Sequence, residues 1–165
     1  MRFSDAMAEA ASRLLDACTE RGLRIVTAES CTGGLLAGCL TAITGSSHGF
    51  ERGFVTYSND AKTEELDVPP ALIREKGAVS AEVARAMAEG ALAHSRADLA
   101  ASLTGVAGPD GGTPEKPVGL VWIGIARRDR GVTAHRCLFS GDRAEIRQAS
   151  VERAIELLSQ AVASD

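Results

Sequence analysis

Leu23-Arg24-Ile25-Val26-Thr27-Ala28-Glu29-Ser30-Cys31-Thr32-Gly33-Gly34 sets an apolar run directly against a glycine-opened helical pattern. Leu23–Ala28 reads as a strand, and Thr32–Ile43 as a helix of small residues. A strand-to-helix junction of this kind places the Ser30 hydroxyl at a helix N-terminus. Unpaired backbone N–H groups and the positive end of the helix dipole converge there. Negative charge arriving or developing beside Ser30 is then stabilised, which suits either a phosphate or an oxyanion.

Outward from that junction, helices and strands alternate. Phe3, Met7, Ala10, Ala11, Leu14, Leu15 and Cys18 recur at helical spacing and stop at Gly22, so a first helix precedes the strand. After the turn-prone Gly45-Ser46-Ser47-His48-Gly49, a second strand is expected near Gly53–Tyr57 and a short helix over Asn59–Leu66. Pro69-Pro70 opens another short helix ending near Gly77. Ser80 is placed as an N-cap, with Val83, Ala84, Met87 and Ala91 on one helical face. Asp98–Leu103 reads as a buried strand running into the glycine-rich Thr104–Gly112, a loop whose backbone can approach a ligand closely. Val118–Ala126 and Val132–Phe139 flank Arg130-Gly131 as a hairpin, the first of them apolar on both faces and therefore central. A last helix runs from about Asp142 to Val162. The expected architecture is a three-layer α/β/α sandwich with a mixed central sheet, a single domain over residues 1–165.

Size and composition narrow the function. A chain of 165 residues buries about 70% of its unfolded surface, enough for a core without metal or disulfide support. Lysine and arginine total 18 against 22 acidic residues, giving a net charge of -4. With one Trp, one Tyr and four Phe, neither a basic footprint nor an aromatic stripe for nucleic acid is present. No apolar run approaches membrane-spanning length and the N-terminus has no secretory h-region, so a soluble cytoplasmic protein is expected. Cys18, Cys31, Cys39 and Cys137 form no C-x-x-C pair and the three histidines stand singly, which indicates neither a zinc cluster nor a disulfide framework. Seven arginines between Arg127 and Arg153 read as a solvated strand edge and helix face, with anion recognition as the second reading.

The chemistry lies at two strand ends. The second strand closes in Phe54-Val55-Thr56-Tyr57-Ser58-Asn59-Asp60-Ala61-Lys62, and the central expectation is that Ser30 and Lys62 meet in space. A serine hydroxyl needs a base, and lysine serves once burial or a neighbouring cation such as Arg143 has lowered its pKa. Tyr57 is placed to relay a proton or orient Lys62. N–H groups around Thr32, Gly33 and Gly34 are candidates for an oxyanion hole, and acyl transfer from an amide or ester uses all these parts. Each part has a plainer reading: a helix cap for Ser30 or Thr32, a surface lysine, a half-buried strand tyrosine, a turn-rich loop. Walker A, G-x-G-x-x-G and G-x-S-x-G patterns are absent, and no lysine stands three residues after Ser30. Cys31 is the rival nucleophile and lacks an evident histidine partner.

Ala28-Glu29-Ser30-Cys31-Thr32-Gly33-Gly34, Gly45-Ser46-Ser47, Val55–Lys62, Gly77-Ala78-Val79-Ser80, Thr104–Pro109 with Gly111-Gly112, Lys116–Gly119 and Gly141-Asp142-Arg143 together resemble the C-terminal domain of the competence/damage-inducible CinA family, the nicotinamide-nucleotide amidohydrolases. The resemblance covers nearly the whole chain in the same block order. It implies metal-free, cofactor-free hydrolysis of the carboxamide of nicotinamide mononucleotide to nicotinate mononucleotide and ammonia, in pyridine nucleotide salvage. The family's serine–lysine pair falls on Ser30 and Lys62, and its supporting tyrosine on Tyr57. Ser46, Ser47, Thr104, Gly105, Gly108, Gly111, Gly112 and Arg143 match segments that line the nucleotide pocket, beside Thr32, Gly33 and Gly34. The resemblance also implies a homodimer and, since the chain begins one helix before its first strand, the stand-alone form. Arg52-Gly53, Leu66-Asp67-Val68 and Val106 depart from the usual pattern without touching the pair. A non-catalytic nucleotide or anion sensor in a competence or damage response is the alternative.

Overall fold

Local capping signals define the helices in the computed structural model, which describes residues 3–164. The Ser4 side chain accepts from the Met7 N–H and starts α1 (Asp5–Glu20), whose Met7, Ala11, Leu14, Leu15 and Cys18 are buried. Ser58 caps α3 (Asn59–Leu66) and Ser80 caps α5 (Ala81–Ala93), each accepting a first-turn N–H. Pro70 opens α4 (Pro70–Lys76). Asp142 and Glu145 exchange reciprocal bonds as a capping box at the start of α6 (Arg143–Ala163).

Five strands form one sheet: β1 (Ile25–Glu29), β2 (Phe50–Val55), β3 (Leu99–Gly105), β4 (Leu120–Arg127) and β5 (Gly131–Leu138). Their spatial order is β2-β1-β3-β4-β5. β2, β1 and β3 run parallel, while β4 and β5 turn back antiparallel. The sheet is therefore mixed, as expected. α1, α6 and the short α2 (Leu35–Thr41) cover one face, where Leu14, Leu36, Leu40, Leu103, Ile123 and Ile155 belong to one apolar cluster. α3, α4 and α5 cover the other, where Leu66, Met87 and Ala88 join Val26, Ala28 and Ala100 in a second cluster. β1 feeds both clusters, Ile25 to one and Val26 and Ala28 to the other, because alternate strand residues point to opposite faces.

This topology creates the opening. The chain leaves β1 toward α2 on one face and leaves the adjacent β2 toward α3 on the other. Neighbouring parallel strands whose connections diverge in this way leave a crevice at their C-terminal ends. Ser30 follows β1 directly, and Tyr57 to Lys62 follow β2.

Several features differ from expectation, beyond shifts of one or two residues at the ends of β1, β3, β4 and β5. The helix placed at Thr32 begins at Leu35, because Gly33 (φ 57°) and Gly34 (φ 95°) are both left-handed and hold Cys31–Gly34 in turns. β2 begins at Phe50 and ends at Val55, earlier than expected, since pairing with β1 runs from Phe50 opposite Ile25 to Val55 opposite Glu29. The arginine-rich segment is no uniform solvated face. Arg127 donates to the Ala161 and Ser164 carbonyls at the end of α6 (2.8 and 3.0 Å), and Arg128 to those of Leu92 in the last turn of α5 and Ala97 beyond it (both 2.8 Å). Helix C-termini carry unpaired carbonyls that cations satisfy. No helix among the described residues is long and apolar enough to cross a membrane.

Candidate active site

Ser30 stands one residue beyond β1 and still uses its amide in the sheet, donating to Leu103 O of β3 (2.9 Å). The preceding Glu29 is fully buried. Its carboxylate accepts from the N–H groups of Leu36 (2.8 Å) and Ala37 (3.0 Å), the first turn of α2. This corrects the expectation of an open helix terminus beside Ser30: α2 starts five residues later than Ser30 and its positive end is already occupied by the protein's own anion. A buried carboxylate is tolerated there because two amides and the helix end satisfy it. Glu29→Gln keeps one acceptor but turns an NH₂ toward the second amide, so urea denaturation is expected to find the variant less stable by about 1–3 kcal/mol.

Lys62, on α3, is 1% exposed. Its Nζ lies 3.1 Å from Ser30 Oγ and donates to Thr56 O (2.8 Å), with the Tyr57 and Ser58 carbonyls at 3.4 Å. The expected encounter of Ser30 and Lys62 is thus present as a hydrogen bond between residues 32 positions apart. Burial lowers the Lys62 pKa below its ordinary value, and the charge of the neighbouring Cys31 thiolate would oppose that. Burial also pushes the Cys31 thiol up to about 11, so at neutral pH the thiol is uncharged and a poor nucleophile. None of the three histidines hydrogen-bonds Cys31: His48 bonds Gly45 O, His94 Asp67 and His135 Thr133.

As a neutral amine, Lys62 would have two N–H groups for the surrounding carbonyls and one lone pair left for the Ser30 hydroxyl. That is the arrangement a base requires.

Tyr57 and Arg143 are placed differently from their expected parts. Tyr57, 61% exposed, meets Lys62 through its backbone carbonyl, while its phenol accepts from Arg143 Nη2 at 3.1 Å. Arg143 Nη1 donates to Gly108 O (2.8 Å). The guanidinium is therefore engaged with the glycine loop and the phenol, and burial rather than Arg143 is what lowers Lys62. Arg143 also lines a cavity of about 590 Å³ with Ala107, Pro109, Val118 and Gly141.

The amides after Ser30 divide into used and open. Gly33 N–H donates to Ser30 O and Leu35 N–H to Thr32 O, both at 3.0 Å, which takes Gly33 out of the expected donor set. Among the described residues, the N–H groups of Thr32 and Gly34 have no acceptor, and the buried Thr32 Oγ1 has no partner. Polar groups this buried are normally satisfied, so the 0% exposed Thr32 stands out with an unpaired N–H and an unpaired hydroxyl together. Thr104 and Gly105 lie within β3. Thr104 Oγ1 bonds Ala78 O (2.8 Å), and Gly105 lies close against Val121 and Leu120 O of β4. Gly108 and Gly111 are left-handed, and Gly112 packs on Val118.

Ser46 and Ser47 form a single turn of 3-10 helix ahead of β2. They therefore stand at the opposite end of the parallel strands from Ser30, about 15–20 Å away along a strand of this length. Within one chain they are not brought to Ser30.

Two residues of this site went unassigned in the sequence. Glu29 precedes the serine in the quoted motif, and Arg147 stands among the arginines. Arg147 is four residues after Arg143 and so on the same face of α6, a spacing that marks its side of the helix but not what it would grip. Among the described residues, no group of three or more His, Cys, Asp or Glu side chains is placed to hold a metal ion.

Comparison with known proteins places these features in context. The family model described as CinA C-terminal domain matches residues 7–162. "Nicotinamide-nucleotide amidohydrolase PncC" of Escherichia coli K12 is 51% identical over 141 residues, covering 85% of each chain. A "CinA-like protein" of Citrifermentans bemidjiense is 51% identical over 157 residues, 94% of this chain, and the match spans 37% of that longer protein. Among solved structures, the "competence/damage inducible protein CihA from Agrobacterium tumefaciens" superposes with a TM-score of 0.95 at 47% identity, covering 99% of both chains.

Proposed function

The chain belongs to the CinA C-terminal domain family, and from that premise we propose that it hydrolyses the carboxamide of nicotinamide mononucleotide, releasing ammonia and nicotinate mononucleotide. The observation that carries the mechanism is the 3.1 Å approach of buried Lys62 Nζ to Ser30 Oγ. The name of the Escherichia coli relative supports the substrate.

Neutral Lys62 takes the Ser30 proton as Oγ bonds to the carboxamide carbon. The carbonyl π pair moves onto oxygen, where the open N–H groups of Thr32 and Gly34 receive the charge. Such donors act on charge that develops in the transition state, which is why they accelerate the step rather than only tightening binding. The oxyanion then collapses, the C–N bond breaks, and the Lys62 ammonium returns its proton to the departing nitrogen as ammonia forms. An ester on Ser30 remains. Water, deprotonated by Lys62, attacks that ester, and Ser30 regains a proton as nicotinate mononucleotide leaves. Arg143, on the cavity between the glycine loop and the start of α6, offers a guanidinium to the substrate phosphate.

Purified protein incubated with nicotinamide mononucleotide and no added metal is expected to release ammonia and nicotinate mononucleotide in equal amounts. Calorimetric binding of the nucleotide without its consumption would instead identify a sensor, and the enzymatic reading would fail.

A further inference from the structure

Arg147 reaches from α6 across 116 residues of sequence to the turn that follows Ser30. Its Nε donates to Cys31 O (3.1 Å) and its Nη2 to Thr32 O (3.0 Å). One planar fork therefore grips two successive carbonyls, a geometry that a guanidinium supplies and an ammonium does not. The capping box at Asp142 and Glu145 fixes the first turn of the same helix.

The consequence lies in the peptide units. In a trans peptide the C=O and the following N–H point in opposite directions. Holding Cys31 O toward Arg147 therefore directs the N–H of Thr32, a residue 0% exposed, away from α6 and into the interior beside Ser30. α6 lies on the face of the sheet shared with α1 and α2, whereas Lys62 arrives from α3 on the other face. The Thr32 N–H is thus turned toward the side from which Lys62 approaches Ser30. The next unit is fixed at both ends, Thr32 O by Arg147 and Gly33 N–H by Ser30 O. The turn has little freedom left, yet Thr32 keeps its own N–H and Oγ1 unpaired among the described residues.

We infer that Arg147 is a positioning residue that aims the Thr32 N–H at the oxyanion formed on attack by Ser30. The inference rests on the amidohydrolase reading. Arg147 touches no reacting atom; it acts through the Cys31–Thr32 peptide.

The test compares wild type, R147K, R147A and S30A with nicotinamide mononucleotide as substrate, each rate normalised to folded protein by circular dichroism. Misaligning one oxyanion donor is expected to lower kcat by about 10–100-fold in both Arg147 variants, with KM changed by less than about threefold. The inflection of the pH–rate profile stays where Lys62 sets it, and added guanidinium ion restores part of the R147A rate without reviving S30A. A merely structural arginine would lower the melting temperature while leaving kcat per folded molecule unchanged. Should R147A fail to fold, R147K carries the test alone. An Arg147 variant that folds and turns over within about twofold of wild type overturns the inference, while the amidohydrolase reading stands if S30A is inactive. A wild-type protein that releases no ammonia removes both.

Discussion

Ser30→Ala is expected to eliminate ammonia release, lowering kcat by about 10⁴-fold or more, the scale seen when a nucleophile is removed from a hydrolase that keeps its other parts. The fold survives, because the Ser30 backbone bonds to Leu103 and Gly33 do not involve the hydroxyl. Lys62 keeps its carbonyl acceptors at Thr56, Tyr57 and Ser58, so stability changes by about 1 kcal/mol or less. Substrate binding persists as well, and KM or calorimetry registers it. A variant with intact secondary structure and undiminished turnover would exclude Ser30 as the nucleophile and reopen the case for Cys31, despite its raised pKa.

Lys62→Met and Lys62→Arg are both expected to lose turnover to a similar extent, for different reasons. Methionine supplies no base. Arginine supplies a permanent charge that cannot deprotonate at any accessible pH, and its larger head meets a site with only 1% exposure. In wild type, kcat/KM is expected to rise with pH as Lys62 gives up its proton. The inflection is expected below the ordinary lysine value of 10.5, because burial lowers the pKa. An acid-insensitive profile, or an active Lys62→Arg variant, would refute a neutral lysine base.

The same shift makes a prediction about stability. Between the lowered folded pKa and the ordinary unfolded one, the unfolded chain binds more protons, so folding grows more favourable as pH rises through that window. Below the folded pKa the cost of burying the charge is fully present; above about 10.5 it is gone. Lys62→Met has no such ionisation. Urea midpoints of wild type, measured against this variant, should therefore improve from neutral pH toward pH 10, and a constant gap would mean that Lys62 is not shifted.

The order of the elements was legible because their signals are local. Apolar residues at helical spacing from Met7 to Cys18, Ser80 as a cap and Pro70 as a helix opener each act within a turn or two of chain. β4 read as central because both its faces are apolar, and it lies between β3 and β5. Ser30 and Lys62 stood out because each follows the end of an apolar strand. Less legible was the fate of polar atoms whose partners are remote. The Tyr57 phenol turns to Arg143 rather than to Lys62, and Ser46-Ser47 sits at the far end of β2 because parallel pairing with β1 fixes which end of that strand faces Ser30. Glu29 gave no sign that it would bend under its own chain to fill the start of α2.

By itself, then, the sequence determined the α/β class, the succession of helices and strands and the two residues at the centre of the proposed chemistry, since periodicity, caps and turn glycines act over short stretches. Only the tertiary structure decided that β2 and β3 flank β1, that burial rather than a neighbouring cation lowers Lys62, and that Arg147 grips the turn after Ser30. Those outcomes depend on which remote surfaces pack together once the sheet has formed, and no local pattern carries that information.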